Sequence, residues 1–259
     1  MEPLHPVTDP LSYPLPPRSD VVERLHGVAV SDPFRSLENA ADPETAQWVE
    51  AQNALTRQCL EGPLREELVG RLQQLHRYPR SSIPAVRSGR LFFTHNDGTA
   101  NQAALCVLDG PGQSRCRVLV DPNALDPDGT TAITAFAPDD EGGRVAYALS
   151  RHGSDGQELR VVDVETGRDL PDSVRWVKFA AIAWLRNGFF YTRFPTPDSV
   201  PPEHAQYLCQ VWFHSLGSPQ GADRLVYHRP DAPAVVFDVD VTSDGTHLVL
   251  TSRPGASDK

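Results

Sequence analysis

Pro138-Asp139-Asp140-Glu141-Gly142-Gly143-Arg144, running on into Val145-Ala146-Tyr147-Ala148-Leu149-Ser150, is the stretch whose reading decides the fold. An acidic, glycine-bearing turn opens into a short apolar run. A second turn, His152-Gly153-Ser154-Asp155-Gly156, leads to Leu159-Arg160-Val161-Val162-Asp163-Val164, which Glu165-Thr166-Gly167 closes. Short β-rich runs bounded by Asp, Gly and Ser are the pattern of strands joined by hairpin turns. The same phrase recurs three times. Arg87-Ser88-Gly89-Arg90 precedes Leu91-Phe92-Phe93-Thr94, Arg186-Asn187-Gly188 precedes Phe189-Phe190-Tyr191-Thr192, and Ser243-Asp244-Gly245-Thr246 precedes His247-Leu248-Val249-Leu250.

From Leu91 to Val145 to Phe189 to His247 the steps are 54, 44 and 58 residues. The first three copies have a partner run downstream, at 103–108, 158–164 and 210–215. Strand pairs repeating every few tens of residues are the signature of β-propeller blades. A β-sandwich also alternates strands and turns, but here the repeating unit is a pair of strands, which favours the propeller. Ahead of the repeats the texture is helical. Asp42-Pro43-Glu44-Thr45 sets a capping side chain before a proline at the first helical position, and Trp48, Val49, Ala51, Gln52, Leu55, Cys59 and Leu60 follow at helical spacing. A second helix over 63–76 carries Leu64, Leu68, Leu72 and Leu75. The prolines of residues 1–20 keep that segment extended. The expected organisation is an N-terminal arm and helices over 1–77 and an incomplete β-propeller over 78–259: mainly β, about three blades plus a fragment of a fourth.

The formal net charge of −10 disfavours nucleic acid and anionic membrane as partners, since both require cationic contact surfaces. Cys59, Cys106, Cys116 and Cys209 show no C-x-x-C pair or zinc spacing and read as buried or half-buried free thiols. His26, His95, His152, His214, His228 and His247 make no i, i+4 pair, so no metal or other cofactor is expected. No secretory leader and no membrane-length apolar run is visible, and a soluble, cytoplasmic protein is the expectation. A nucleophile elbow, Gly-x-Ser-x-Gly, is absent. Gly153-Ser154-Asp155-Gly156 and Gly217-Ser218-Pro219-Gln220-Gly221 have other spacings and read as turns, and Asp139-Asp140-Glu141 reads as a solvated acidic turn. Pro195, Pro197, Pro201 and Pro202 mark a long loop. The strand 248–252 has no downstream partner before Lys259. A propeller that stops there cannot close, which leads us to expect either a longer protein or a partner that supplies the rest.

In order along the chain, His26-Gly27, Asp32-Pro33-Phe34-Arg35, Trp48-Val49-Glu50-Ala51-Gln52-Asn53, Tyr78-Pro79, Asn101-Gln102, Asp121-Pro122-Asn123, Gly153-Ser154-Asp155, Val177-Lys178-Phe179, Ala183-Trp184 and Phe189-Phe190-Tyr191 resemble the prolyl oligopeptidases. These are serine peptidases in which a seven-bladed propeller caps an α/β-hydrolase domain. The resemblance spans about residues 18 to 255. It implies that the helical segment associates with the hydrolase domain and that the propeller gates access of short proline-containing peptides. The catalytic Ser, Asp and His would lie in an α/β-hydrolase half that this chain does not contain, leaving it inactive alone. It also implies that Phe179 is a substrate-binding contact for the residue upstream of proline; the alternative for Phe179 is a core aromatic of a blade strand. A family cysteine after Arg-x-Gly is replaced by Ala256, following Arg253-Pro254-Gly255, and Gly156 stands where the family commonly has tryptophan. The alternative function is a non-catalytic propeller-type binding module, or a truncated gene product, that pairs with a partner chain.

Overall fold

Asp42 begins the first long helix. Its carboxylate accepts the Glu44 and Thr45 backbone N–H groups at 2.8 and 3.4 Å, satisfying donors that the helix itself leaves open. The structure, a computed structural model, describes residues 11–110, 112–113, 115–196, 199–201 and 207–255. It divides into two compact units, Met1–His76 and Arg77–Lys259.

In the first unit, β1 (Val22–Leu25) and β2 (Val28–Ser31) form an antiparallel hairpin. Its turn is His26-Gly27, both left-handed with φ of 50° and 84°, as a tight two-residue hairpin requires. Helices α1 (Pro43–Leu60) and α2 (Pro63–His76) follow. Trp48 Nε1 and Gln52 Nε2 both donate to the Pro14 carbonyl at 3.2 Å, fastening the proline-rich segment to α1. The apolar face read from the sequence of α2 is present but uncovered. Leu64, Leu68, Leu72 and Leu75 are each more than half exposed, and no residue of α2 is buried.

The second unit is a row of antiparallel sheets. The first contains β3 (Arg80–Ser81), β4 (Ala85–Arg87), β5 (Arg90–Asn96), β6 (Ala104–Leu108) and β7 (Arg117–Val120), with β3 and β4 both paired to β5. A four-residue helix, α3 (Pro122–Leu125), capped by Asp121, links it to the second. That sheet orders β8 (Thr131–Pro138), β9 (Arg144–Arg151), β10 (Gln157–Asp163) and β11 (Arg168–Val177) as a meander. The third does the same with β12 (Ile182–Trp184), β13 (Gly188–Arg193), β14 (Gln210–Ser215) and β15 (Arg224–His228). Last come β16 (Val235–Val241) and β17 (Leu248–Pro254). These are three blades and the hairpin of a fourth, an open partial propeller.

The recurring glycine turn joins the first strand of each blade to the second. Left-handed residues mark it every time: Ser88 and Gly89, Gly142, Arg186, and Gly245. The strand at 248–254 therefore has a partner, but upstream: Leu248 pairs with Val241 and Pro254 with Val235. Asp139 is buried rather than solvated, because its Oδ1 accepts the Gly143 and Arg144 N–H groups at 2.8 and 3.1 Å and pins the turn. Cys106 and Cys209 are buried and Cys116 half-buried, whereas Cys59 is exposed.

Packing follows from strand alternation. Val145, Tyr147 and Leu149 of β9 face the first blade's Phe92, Leu105 and Val107, while Ala146 and Ala148 face Trp184, Phe189 and Tyr191 of the third. A strand buried on both faces reads as a continuous apolar run, which is why Val145 to Ser150 carries no polar alternation. The next interface sets Phe190, Cys209 and Val211 against Phe237 and Val239.

Candidate functional site at the sheet rim

Part-buried polar links tie strands together within the second and third blades. The fourth residue of β9 and of β13 is a tyrosine, and each reaches a carboxylate at or just before the start of its own blade's outer strand. Tyr147 donates to Asp169 at 2.8 Å, and Tyr191 donates to Asp223 at 2.7 Å. Burial and the neighbouring carboxylate push both phenols above their usual range. His214, fully buried on β14, stands between Asp223 (Nδ1 to Oδ1, 2.7 Å) and Asp172 of β11 (Nε2 to Oδ1, 3.0 Å), joining the second blade to the third. The Gly217 N–H also donates to Asp172, at 2.6 Å. Burial alone would lower the imidazole's pKa. The hydrogen bonds and charges of Asp223 and Asp172 outweigh it, and the His214 pKa is held above its ordinary value.

The serines of the two glycine-flanked turns are occupied locally. Ser154 Oγ accepts the Gly156 N–H at 3.0 Å, and Ser218 Oγ donates to the Ser215 carbonyl at 2.6 Å. Both are staples of turns between strands.

Phe179 lies just past the end of β11, in a bend and outside the core. It is 63% exposed with a left-handed φ of 51°. Two other bulky residues nearby share that conformation, Trp176 (φ 65°) and Leu208 (φ 63°). Large side chains seldom adopt it, and strained backbone gathers where the surroundings fix it for a purpose. Here the fixing bonds are visible. The Phe194 N–H donates to the Trp176 carbonyl at 2.9 Å, the Leu208 N–H to Pro233 at 2.8 Å, and the Ala180 N–H to Gln157 Oε1 at 3.1 Å. They hold Phe179 on the wall of a cavity of about 200 Å³, together with Phe194, Tyr207, Pro233 and Gly255. Lys178 lies with its ammonium over the Phe194 ring at 5.4 Å. The cavity is apolar and concave, suited to a side chain rather than to chemistry. It brings Phe179 and Gly255, 76 positions apart in sequence, to one place. Ala256, Pro197 and Pro202 lie outside the described residues.

Among the described residues no helix is long and apolar enough to cross a membrane. Comparison with known proteins gives a consistent picture. The family described as "Prolyl oligopeptidase, N-terminal beta-propeller domain" matches residues 13–259. Prolyl oligopeptidase A of Galerina marginata is 34% identical over 278 residues, covering 93% of this chain and 37% of the relative. Prolyl endopeptidase of Elizabethkingia meningoseptica is 30% identical over 250 residues, covering 93% and 34%. A solved prolyl endopeptidase, from work on inter-domain dynamics in two such enzymes, superposes with a TM-score of 0.82 at 32% identity, over 95% of this chain and 37% of its own. Prolyl oligopeptidase B of Galerina marginata, bound to a 35-residue hydrolysis and macrocyclization substrate, gives 0.73 at 25% identity over 93% and 37%. The chain thus spans a little over a third of the length of the curated relatives it matches.

Proposed function

The chain belongs to the prolyl oligopeptidase family, as its N-terminal β-propeller part, and from that premise we propose that it is the substrate-admitting portion of a serine endopeptidase acting on short proline-containing peptides. In this reading residues 1–77 are the hydrolase-associated segment and 78–259 the incomplete propeller. An α/β-hydrolase domain outside this chain supplies the Ser, His and Asp of acyl transfer and the oxyanion hole. The chain alone is inactive. Phe179 makes the apolar contact for the substrate residue upstream of proline. A cytoplasmic location agrees with four free thiols.

The observation that carries the partner assignment is the uncovered stripe Leu64, Leu68, Leu72 and Leu75 on α2. Burying a leucine is worth about 1.5–3 kcal/mol, so four of them on one face make an apolar docking surface that water does not favour. The test is turnover of a succinyl-Gly-Pro chromogenic substrate. The chain alone should give none. Mixed with the separately produced hydrolase half of the Elizabethkingia meningoseptica prolyl endopeptidase it should give serine-inhibitor-sensitive turnover, abolished by Leu68→Asp with Leu72→Asp. Turnover by the chain alone overturns the claim of inactivity; no turnover in the mixture overturns the partner assignment.

A further inference from the structure

Beside the Phe179 cavity, and sharing Lys178 and Phe194 with it, lies a groove of about 920 Å³ along the same end of the second blade. Its position follows from register. Gln157 pairs with both Ser150 and Val177, so Arg151, at the end of β9, and Arg175 and Trp176, at the end of β11, flank the start of β10 at one rim. With one strand between them, the two arginines stand about 10 Å apart at their backbones.

Four cations, Arg151, Arg160, Arg175 and Lys178, line the groove against two carboxylates, Asp155 and Glu158, so its charges do not cancel. Glu158 is used within the fold: Arg160 Nη2 donates to its Oε2 at 3.2 Å and Ser173 Oγ to its Oε1 at 2.8 Å, and Arg160 also faces Asp169 at 3.6 Å. Arg151 and Arg175 are exposed, and among the described residues neither guanidinium lies within 4 Å of a carboxylate, although the charge of Arg175 helps to hold the Glu158 carboxyl below its usual range. On a chain of net charge −10, two such cations in one concave surface stand out against the field around them. Arg175 is also held in place. Gln220 Oε1 accepts its backbone N–H and Gln220 Nε2 donates to its carbonyl, both at 3.0 Å. Trp176, 44% exposed in its left-handed conformation, offers an aromatic surface in the same groove. Arginine and tryptophan together are the composition of energetically dominant binding surfaces, and guanidinium matches carboxylate geometry in a way ammonium does not.

We propose that this groove is a carboxylate-recognising extension of the substrate path, in which Arg151 and Arg175 hold an anionic group of a peptide and Trp176 packs against its neighbouring apolar residue. The proposal rests on the peptidase reading for the peptide's identity. It is tested on the 259-residue chain alone, without a hydrolase half, so a failure here and a failure of reconstitution are told apart.

The experiment is isothermal titration calorimetry at low salt with three proline-containing hexapeptides: one glutamate with both ends capped, the same peptide with glutamine, and the glutamine peptide with a free C-terminal carboxylate. At least one carboxylate peptide should bind about tenfold more tightly than the capped glutamine peptide, in line with the strength of a charge-assisted hydrogen bond. The preference should fade as salt is raised. Which of the two binds identifies a side-chain or a terminal carboxylate as the ligand. Arg151→Ala with Arg175→Ala should remove the preference, and Arg151→Glu with Arg175→Glu should transfer it to a lysine-containing peptide. Equal affinity for all three peptides, no binding of any, or a preference that survives the double alanine substitution overturns the proposal.

Discussion

Replacing His214 by leucine tests the polar link between the second and third blades. The substitution removes both N–H donors and leaves Asp172 and Asp223 facing each other, with side chains 2% and 0% exposed and no cation between them. Breaking a buried ion pair from one side costs about 3–5 kcal/mol, because the remaining charge stays desolvated. In a unit of this size each kcal/mol moves the melting point by about 2–4 °C, so we expect a fall of roughly 6–20 °C near pH 6. The pH dependence gives a second reading. The His214 pKa is raised in the folded chain, so its contribution is fully present below the free imidazole's 6.5 and is lost as pH climbs through the raised value. The gap between parent and variant should therefore narrow from pH 6 towards alkaline pH. Thermal unfolding followed by circular dichroism measures both. A variant melting within about 2 °C of the parent at pH 6, or a gap that widens with pH, would show that His214 does not stabilise the contact between the two blades.

Gly188→Ala would set a Cβ 2.4 Å from the His214 carbonyl oxygen and 2.6 Å from the Phe213 ring; calorimetry should show a loss of about 1–3 kcal/mol, against no change for Gly221→Ala, which meets nothing within 4 Å. Tyr147→Phe deletes the bonds to Asp169 but leaves Arg160 facing that carboxylate, so urea denaturation should register a loss of about 1 kcal/mol with an unchanged m-value. Phe179→Ala, at a mostly exposed position, should leave the melting point within about 1 °C, while in the reconstituted enzyme it raises KM for substrates with an apolar residue before proline and spares those with glycine there.

The blades were legible because their first hairpin turn needs left-handed backbone, and left-handed backbone selects Gly89, Gly142 and Gly245. Such a requirement is local and leaves its mark in four consecutive residues. Helix α1 was legible for the same reason, through Asp42 and Pro43. The first strand of the last hairpin was missed. Val235 to Val241 carries Asp238 and Asp240 with no glycine turn before it, and only its pairing with β17 gives it away. Asp139 was misread because one carboxylate in an acidic run turns inward to cap backbone donors. The His214 network was invisible: its aspartates lie 42 residues before and 9 after it, and no local pattern encodes a contact made by stacking two sheets. Phe179 was named through resemblance alone. Its exposure and strained backbone, and its convergence with Gly255 on one cavity, required the fold.

If the chain is one part of a two-part peptidase, the exposed leucine face of α2 is where the other part docks. Size-exclusion chromatography with light scattering, on the chain alone and mixed with a prolyl endopeptidase hydrolase half, addresses it most directly. We expect a one-to-one complex that forms with the parent chain and fails to form when Leu68 and Leu72 are replaced by aspartate. A chain that elutes as a discrete species and ignores the hydrolase half would contradict it.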